Sequence, residues 1–251
     1  MKTIDINSDL GEGYGRYRVA DDEALMPRIT SANIACGFHA GDPVIMRRTA
    51  ELAVANGVRI GAHIGYPDVQ GFGRRAVSFD AKELSALTLY QLGAMRAMAE
   101  AAGGTLGHVN FHGALGNLSF ADEDVAHAVL QAVKDYDPTL KYVTLPFTAA
   151  ARVAESLGLE TVNSFLADRA YTPEGLLASR KQPGAMVTDT AQIRARVARL
   201  LSDGEIETVD GSVRRMPVDS ILVHSDTAGA LDIATAVREA IDAAGYSVRA
   251  F

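Results

Sequence analysis

Four of the six histidines in this chain, His39, His63, His112 and His224, fall just after segments that read as β-strands. Each is followed within a few residues by glycine, and Asp42, Asp68 and Asp226 stand near three of them. Imidazole changes charge near neutral pH and ligates metals, so such residues suit proton transfer or metal binding. The carboxylates Asp9 and Glu12 end the first strand segment in Asn7-Ser8-Asp9-Leu10-Gly11-Glu12-Gly13, where they could act as general base or metal ligand. Asp9, His39, His63 and His112 are therefore the candidate catalytic residues, and Asp9, His39 and His63 are also candidate ligands for a divalent metal. Groups this far apart in sequence share a pocket if their strands are parallel, because the carboxyl ends then open on one face.

The elements that must position them alternate. Strands are expected at Thr3–Asn7, Ser31–Cys36, Val58–Ala62, Thr105–Asn110, Tyr142–Leu145, Thr161–Phe165 and Ser220–His224. Helices are expected at Asp21–Ile29, Val44–Asn56 after Pro43, Ala81–Ala102, Asp122–Tyr136, Thr148–Leu157, Thr190–Ser202 and Ala230–Ala244. A polar loop runs to Thr188, and Glu205–Pro217 reads as a hairpin turning at Asp210-Gly211. About seven βα units result, with helices long enough for right-handed crossovers. The fold class is α/β, a parallel (β/α) barrel of about seven strands, in a single domain over residues 1–251. An open doubly wound sheet is the alternative, but active groups spread over many strand ends favour closure.

Composition narrows the function. A net charge of −7 and no dense basic run argue against nucleic-acid or anionic-membrane partners. No apolar run long enough to span a bilayer occurs, and the first residues do not read as a signal peptide. The one cysteine, Cys36, leaves no internal disulfide, reads as a small buried residue and fits a cytoplasmic location. No phosphate loop, dinucleotide fingerprint, Cys-x-x-Cys, His-Glu-x-x-His or Gly-x-Ser-x-Gly is present.

Further groups suit substrate binding. Arg74 and Arg75 follow a Gly- and Pro-rich loop, and a guanidinium holds carboxylate or phosphate in two-pronged fashion. The plain alternative is that one is solvated and the other pairs with a loop carboxylate. Asn7, Glu12, Asn110, Asp168, Arg169, His224 and Asp226 sit at or beside strand ends in the same way. Asp42 joins them, although a helix cap before Pro43 also explains it. His108, in mid-strand, reads as structural, and His127, within a helix, as structural or exposed.

Taken in order, the segments DINSDLGEGYG, SANIACGFHAGDP, GAHIGYPD, GFGRR, LYQLGA, HGAL, FADRAY, QPGA, VDG and VHSDTAGA resemble the LamB/YcsF family over nearly the whole chain. The resemblance implies a seven-stranded barrel of the glycoside hydrolase/deacetylase type acting on a small lactam. It further implies an ATP-dependent 5-oxoprolinase complex, in which B and C subunits handle ATP and this chain helps to open the ring to give glutamate. ATP would then be the cofactor through the complex, and a divalent metal a second candidate. The competing readings are a metal-dependent amidohydrolase or deacetylase acting alone on another lactam, and a non-catalytic binding subunit.

The chain departs from the family's Lys-Pro-His-Gly-Ala-Leu-Tyr-Asn run, carrying Asn110 and Gly116 where lysine and tyrosine are usual. Ile64, Ser225 and Ala228 also replace the family's proline, glycine and proline. These departures lead to the expectation of a roomier, less cationic pocket that suits a larger lactam.

Overall fold

The computed structural model describes residues 2–251. Among them, ten strands and eight α-helices follow in chain order: β1 (Thr3–Leu10), α1 (Asp22–Leu25), β2 (Ser31–Ala35), α2 (Pro43–Ala55), β3 (Arg59–Ile64), α3 (Ala81–Ala101), β4 (Leu106–Phe111), α4 (Gly113–Ala121), α5 (Glu123–Tyr136), β5 (Lys141–Thr144), α6 (Ala149–Leu157), β6 (Thr161–Leu166), α7 (Thr190–Asp203), β7 (Glu205–Glu207), β8 (Val213–Arg215), β9 (Ser220–Val223), α8 (Ala230–Ala243) and β10 (Ser247–Val248). Seven strands pair in parallel in the order β1-β2-β3-β4-β5-β6-β9, and β9 returns to β1 through Asp5↔Ser220 and Ser8↔Val223. That last pairing closes the barrel, which an open sheet would lack, and the helices flank it.

Local chemistry sets the helix starts. Asp42 accepts from the amides of Val44 and Ile45 ahead of Pro43, and Asp80 and Glu83 form a reciprocal capping box on α3. Gly158 and Gly204 end α6 and α7 in the left-handed conformation. The hairpin expected around Asp210-Gly211 is present as β7 and β8. Two elements were not anticipated. α4 follows His112 at once because its run of Ala, Leu and Gly has almost no amphipathic period to read. β10 is two residues long and pairs with Thr3 and Ile4, before β1 meets β9.

β1 runs three residues past its expected end, which places Asp9 within a strand with its carboxylate in the barrel. The interior is polar where barrels of this kind are usually filled by branched aliphatics. Asp5 accepts from Thr30 Oγ1 (2.7 Å), Ser31 Oγ (2.8 Å) and Ser220 Oγ (2.5 Å). Asn7 Nδ2 donates to Ser31 Oγ at 2.6 Å, and Asn33 Nδ2 donates to Asn7 Oδ1 and, at 2.7 Å, to Asp9 Oδ1. His108 crosses the same layer and donates through Nε2 to Asn33 Oδ1 at 2.8 Å. It fills the space that a side chain at Gly61 would need, since a Cβ there would lie 2.1 Å from the ring. His108 is thus a structural histidine, and Cys36 is a small buried residue of the same core.

Burial raises the Asp5 carboxyl to about 6, against the lowering effect of its three hydroxyl donors and Arg59. A carboxyl raised above its unfolded value of 3.8 binds protons more tightly when folded, so stability is lost as pH climbs from about 4 to about 6. The loss is on the order of 3 kcal/mol. In urea titrations, Asp5→Asn is expected to lack this loss, so the variant's stability relative to wild type should climb across that interval. Parallel stability curves for the two proteins would contradict it.

Candidate functional site

At the carboxyl end of the barrel, Glu12 lies just past β1, His39 in the loop after β2, His63 in β3 and His112 directly after β4. Their ligating atoms all fall within 4.8 Å of one another. Glu12 Oε1 is the centre: it lies 3.3 Å from His39 Nε2, 3.4 Å from His112 Nδ1 and 3.7 Å from His63 Nε2. His63 Nε2 and His112 Nδ1 are 2.9 Å apart, and Asp9 Oδ2 stands 3.6 Å from His63 Nε2. Sequence reasoning left Glu12 as a base or metal ligand by chemistry and grouped it with the substrate-binding residues; the loop geometry turns it inward among the three histidines.

The tautomer of His112 follows from its partner. Its Nε2 contacts the carbonyl oxygen of Phe72 at 2.8 Å, and a carbonyl only accepts, so Nε2 carries the proton and the Nδ1 lone pair faces Glu12. Phe72 holds this carbonyl in place from a left-handed conformation (φ 53°) that is rare for an aromatic residue. The His39 and His112 rings stack at 3.9 Å and 5°, while Phe72 meets both edge-on. Such close packing requires glycine opposite His39: a Cβ at Gly65 would sit 2.5 Å from His39 Nδ1.

Burial dominates the electrostatics. It lowers His39 well below the usual imidazole value and, with neighbouring histidines, takes His63 and His112 to about 3. Burial likewise raises Glu12, with Asp9 adding like-charge repulsion, and raises Asp9 against the pull of His224. The histidines are therefore neutral, as ligands to a metal must be. Four donors around an ion at ordinary Zn–N and Zn–O distances are spaced about 3.3–3.5 Å apart in a tetrahedron. Four of the six separations, 2.9–3.7 Å, bracket that spacing, and all six lie within 4.8 Å. The cluster can hold a divalent metal.

A cavity of about 610 Å³ opens beside it, lined among others by Asp9, His63, Arg74, Asn110, His112, Arg169, Arg180 and His224. His224, just after β9, pairs through Nδ1 with Asp168 at 2.8 Å, and Thr227 Oγ1 donates to the same carboxylate. Burial alone would lower His224, but Asp168 overrides it and raises the imidazole, so this histidine holds its proton more tightly than a free imidazole does. Arg74 pairs with Asp226 at 2.5 Å and stacks on the Phe72 ring. Asn7 lies deeper, in the barrel network, and does not line the cavity.

Two further expected binding groups lie elsewhere. Arg75 is engaged by Asp68 through Nε at 3.0 Å and is largely exposed, as the plain alternative for one arginine had it. Asp42 is occupied by the α2 amides and by the Gly15 amide, 2.8 Å away. Arg180, by contrast, lines the cavity and was passed over, because the polar loop that carries it has no periodicity to say where it folds. His127 is exposed on α5.

The departures at 110 and 116 read differently in three dimensions. Asn110 Nδ2 donates to the Val143 carbonyl at 3.0 Å. A Cβ at Gly116 would lie 2.5 Å from the Phe111 carbonyl oxygen, so a tyrosine there requires the backbone to shift. The cavity is also not short of cations, since three arginines line it.

Comparison with known proteins adds the following. The model of the LamB/YcsF family matches residues 4–251. The second of the 5-oxoprolinase A-type subunits of Agrobacterium fabrum is 51% identical over 245 residues, covering 98% of this chain and 96% of its own. The 5-oxoprolinase A-type subunit of Kocuria rhizophila is 48% identical over 251 residues, with both chains covered completely. The crystal structure of the lactam utilization protein from Thermus thermophilus superposes with a TM-score of 0.95 at 41% identity over the full length of both chains. A putative cellobiose-phosphate cleavage protein from Enterococcus faecalis, at 14% identity and a TM-score of 0.61 over 99% of this chain and 97% of its own, shares the fold.

Proposed function

Because the chain belongs to the LamB/YcsF family, we propose that it is the ring-opening subunit of an ATP-dependent 5-oxoprolinase, converting 5-oxoproline to glutamate with partner subunits that handle ATP. The observation that carries this reading is the shared cavity: a buried carboxylate–histidine cluster and a set of arginines border the same space. A lactam that bears a carboxylate presents the two features these groups suit, an amide carbonyl and an anion.

Hydrolysis of the ring amide needs a polarised carbonyl, a positioned water and stabilisation of the tetrahedral oxyanion. Asp9 borders the cavity with Oδ1 held by Asn33, which leaves Oδ2 beside His63 to accept a proton from water. Arg74, steadied by Asp226 and Phe72, orients the substrate, and His224, whose protonated form Asp168 supports, is a proton source for the departing ring nitrogen. Glu12, His39, His63 and His112 would hold a divalent ion, which supplies Lewis-acid polarisation of a carbonyl or acidifies a bound water. Phosphorylation of the carbonyl oxygen from ATP would activate the same carbon, and it falls to the partners because this chain carries no phosphate loop. No helix among the described residues is long and apolar enough to cross a membrane; the complex is proposed to work in the cytoplasm.

The pure chain is expected neither to hydrolyse ATP nor to open 5-oxoproline at an appreciable rate, and addition of the partner subunits with ATP should restore glutamate formation. Ring opening by the pure chain without ATP, lost on chelation, would instead favour a metal-dependent amidohydrolase, the reading that the donor spacing of the cluster supports.

A further inference from the structure

Among the charged groups of the cavity, two guanidiniums remain without an anion. Arg74 is balanced by Asp226, and His224 by Asp168. Arg169 is 6% exposed and uses one terminal nitrogen on the Ala178 carbonyl at 2.7 Å, while its Nε is buried with no partner. Arg180 lines the same cavity as an exposed residue, and its guanidinium makes neither a hydrogen bond nor an ion pair with any described residue. The buried, unpaired Nε–H of Arg169 costs free energy that a ligand can recover.

The loop is built to present these groups. Tyr171 pairs with Leu177 and Arg169 with Met186 as isolated bridges, and the amides of Ala178 and Ala170 bond back within the loop at 2.9 Å. The Gln182 amide closes a turn on the Ser179 carbonyl at 2.9 Å, which places Arg180 at the turn. Partial desolvation, and then the neighbouring Arg74, lower the proton affinity of Arg180; burial, and then Arg180, do the same for Arg169. Cations brought together in this way are relieved by an anion between them.

We propose that Arg180 and Arg169 form an anion subsite that binds the carboxylate of the cyclic amide reacting at the Glu12–histidine cluster. This rests on the ring-opening function proposed above. It moves the carboxylate clamp from Arg75, which is committed to Asp68, to a residue eleven positions along the loop from Arg169. Phosphate shares the oxyanion chemistry, so the test separates the two sources.

Calorimetric titration of the full chain with 5-oxoproline, with 2-pyrrolidinone (the same ring without the carboxylate) and with inorganic phosphate provides that test. Wild type is expected to bind 5-oxoproline at least about tenfold more tightly than 2-pyrrolidinone, the scale of a hydrogen bond to a charged group. Arg180→Gln should erase the preference and Arg180→Lys recover part of it. Arg152→Gln, which removes an equal charge beside Glu123 on the outer surface, should keep it. In the reconstituted complex, Arg180→Gln should raise KM for 5-oxoproline by more than it changes kcat. An unchanged preference in Arg180→Gln would overturn the proposal. So would Arg180-dependent phosphate binding with no discrimination between the two lactams. If 5-oxoproline is neither bound nor opened, the six-membered ring acid and its uncharged parent are compared. An Arg180-dependent preference there keeps the subsite while the 5-oxoproline assignment falls, and its absence there overturns the subsite too.

Discussion

Glu12→Gln is expected to reduce ring opening by the reconstituted complex by about 10²–10⁴-fold, the range for removal of a positioned catalytic group. Glu12 Oε1 lies within 3.7 Å of a nitrogen of each of the three histidines, so the whole cluster loses its anion while its volume is preserved. The amide can still offer an oxygen to one imidazole and donate its NH2 to the Nδ1 lone pair that the Phe72 carbonyl fixes on His112, so what is lost is the negative charge. If the cluster holds a divalent ion, metal content after dialysis should fall along with activity. The folded state should survive, because burial already disfavours the charged carboxylate; the thermal midpoint is expected to hold or rise. Full activity in Glu12→Gln would remove the cluster from the chemistry and leave Asp9 to act without it.

A second large effect is expected from a single methyl group. Gly65→Ala should destabilise the protein by about 1–3 kcal/mol, the usual cost of overpacking a filled core, and should also abolish turnover. The added Cβ would lie 2.5 Å from His39 Nδ1 and 2.9 Å from its Cγ. His39 has no free space to move into, being fully buried and stacked on His112. Displacing its ring breaks the stack and the approach to Glu12 together. The comparison is Gly93→Ala, in the middle of α3, where a Cβ meets nothing within 4 Å. There the change should stabilise by up to about 1 kcal/mol through helix propensity with turnover unaltered. Equal thermal midpoints and activities for Gly65→Ala and wild type would show that the His39 stack is not constrained as described.

Much of the frame was legible from local rules. Period-two strands, amphipathic helices, the cap at Asp42 and the Asp210-Gly211 turn each depend on residues close together in sequence. They gave the alternation, and the alternation placed His39, His63, His112 and His224 at one end of a parallel sheet. Active groups spread over many strand ends favoured closure over an open sheet, but local rules could not supply the pairing that achieves it. The return of β9 to β1 involves partners more than 200 residues apart, and only that closure makes strand ends converge on one cavity.

Loops carried the rest, for the same reason. Glu12 and Arg180 sit in segments with no repeating pattern, so their side-chain directions depend on positive-φ glycines, on backbone bonds such as Gly41 N to the Gly13 carbonyl, and on turns such as Ser179–Gln182. Arg74 and Arg75 are adjacent and chemically identical, yet one reaches Asp226 across the cavity and the other Asp68 in its own loop. By itself the sequence determined which residue types stand at the strand ends. The tertiary structure alone decided which of them meet, because a side chain's partner is set by the packing of the whole barrel and not by its neighbours along the chain.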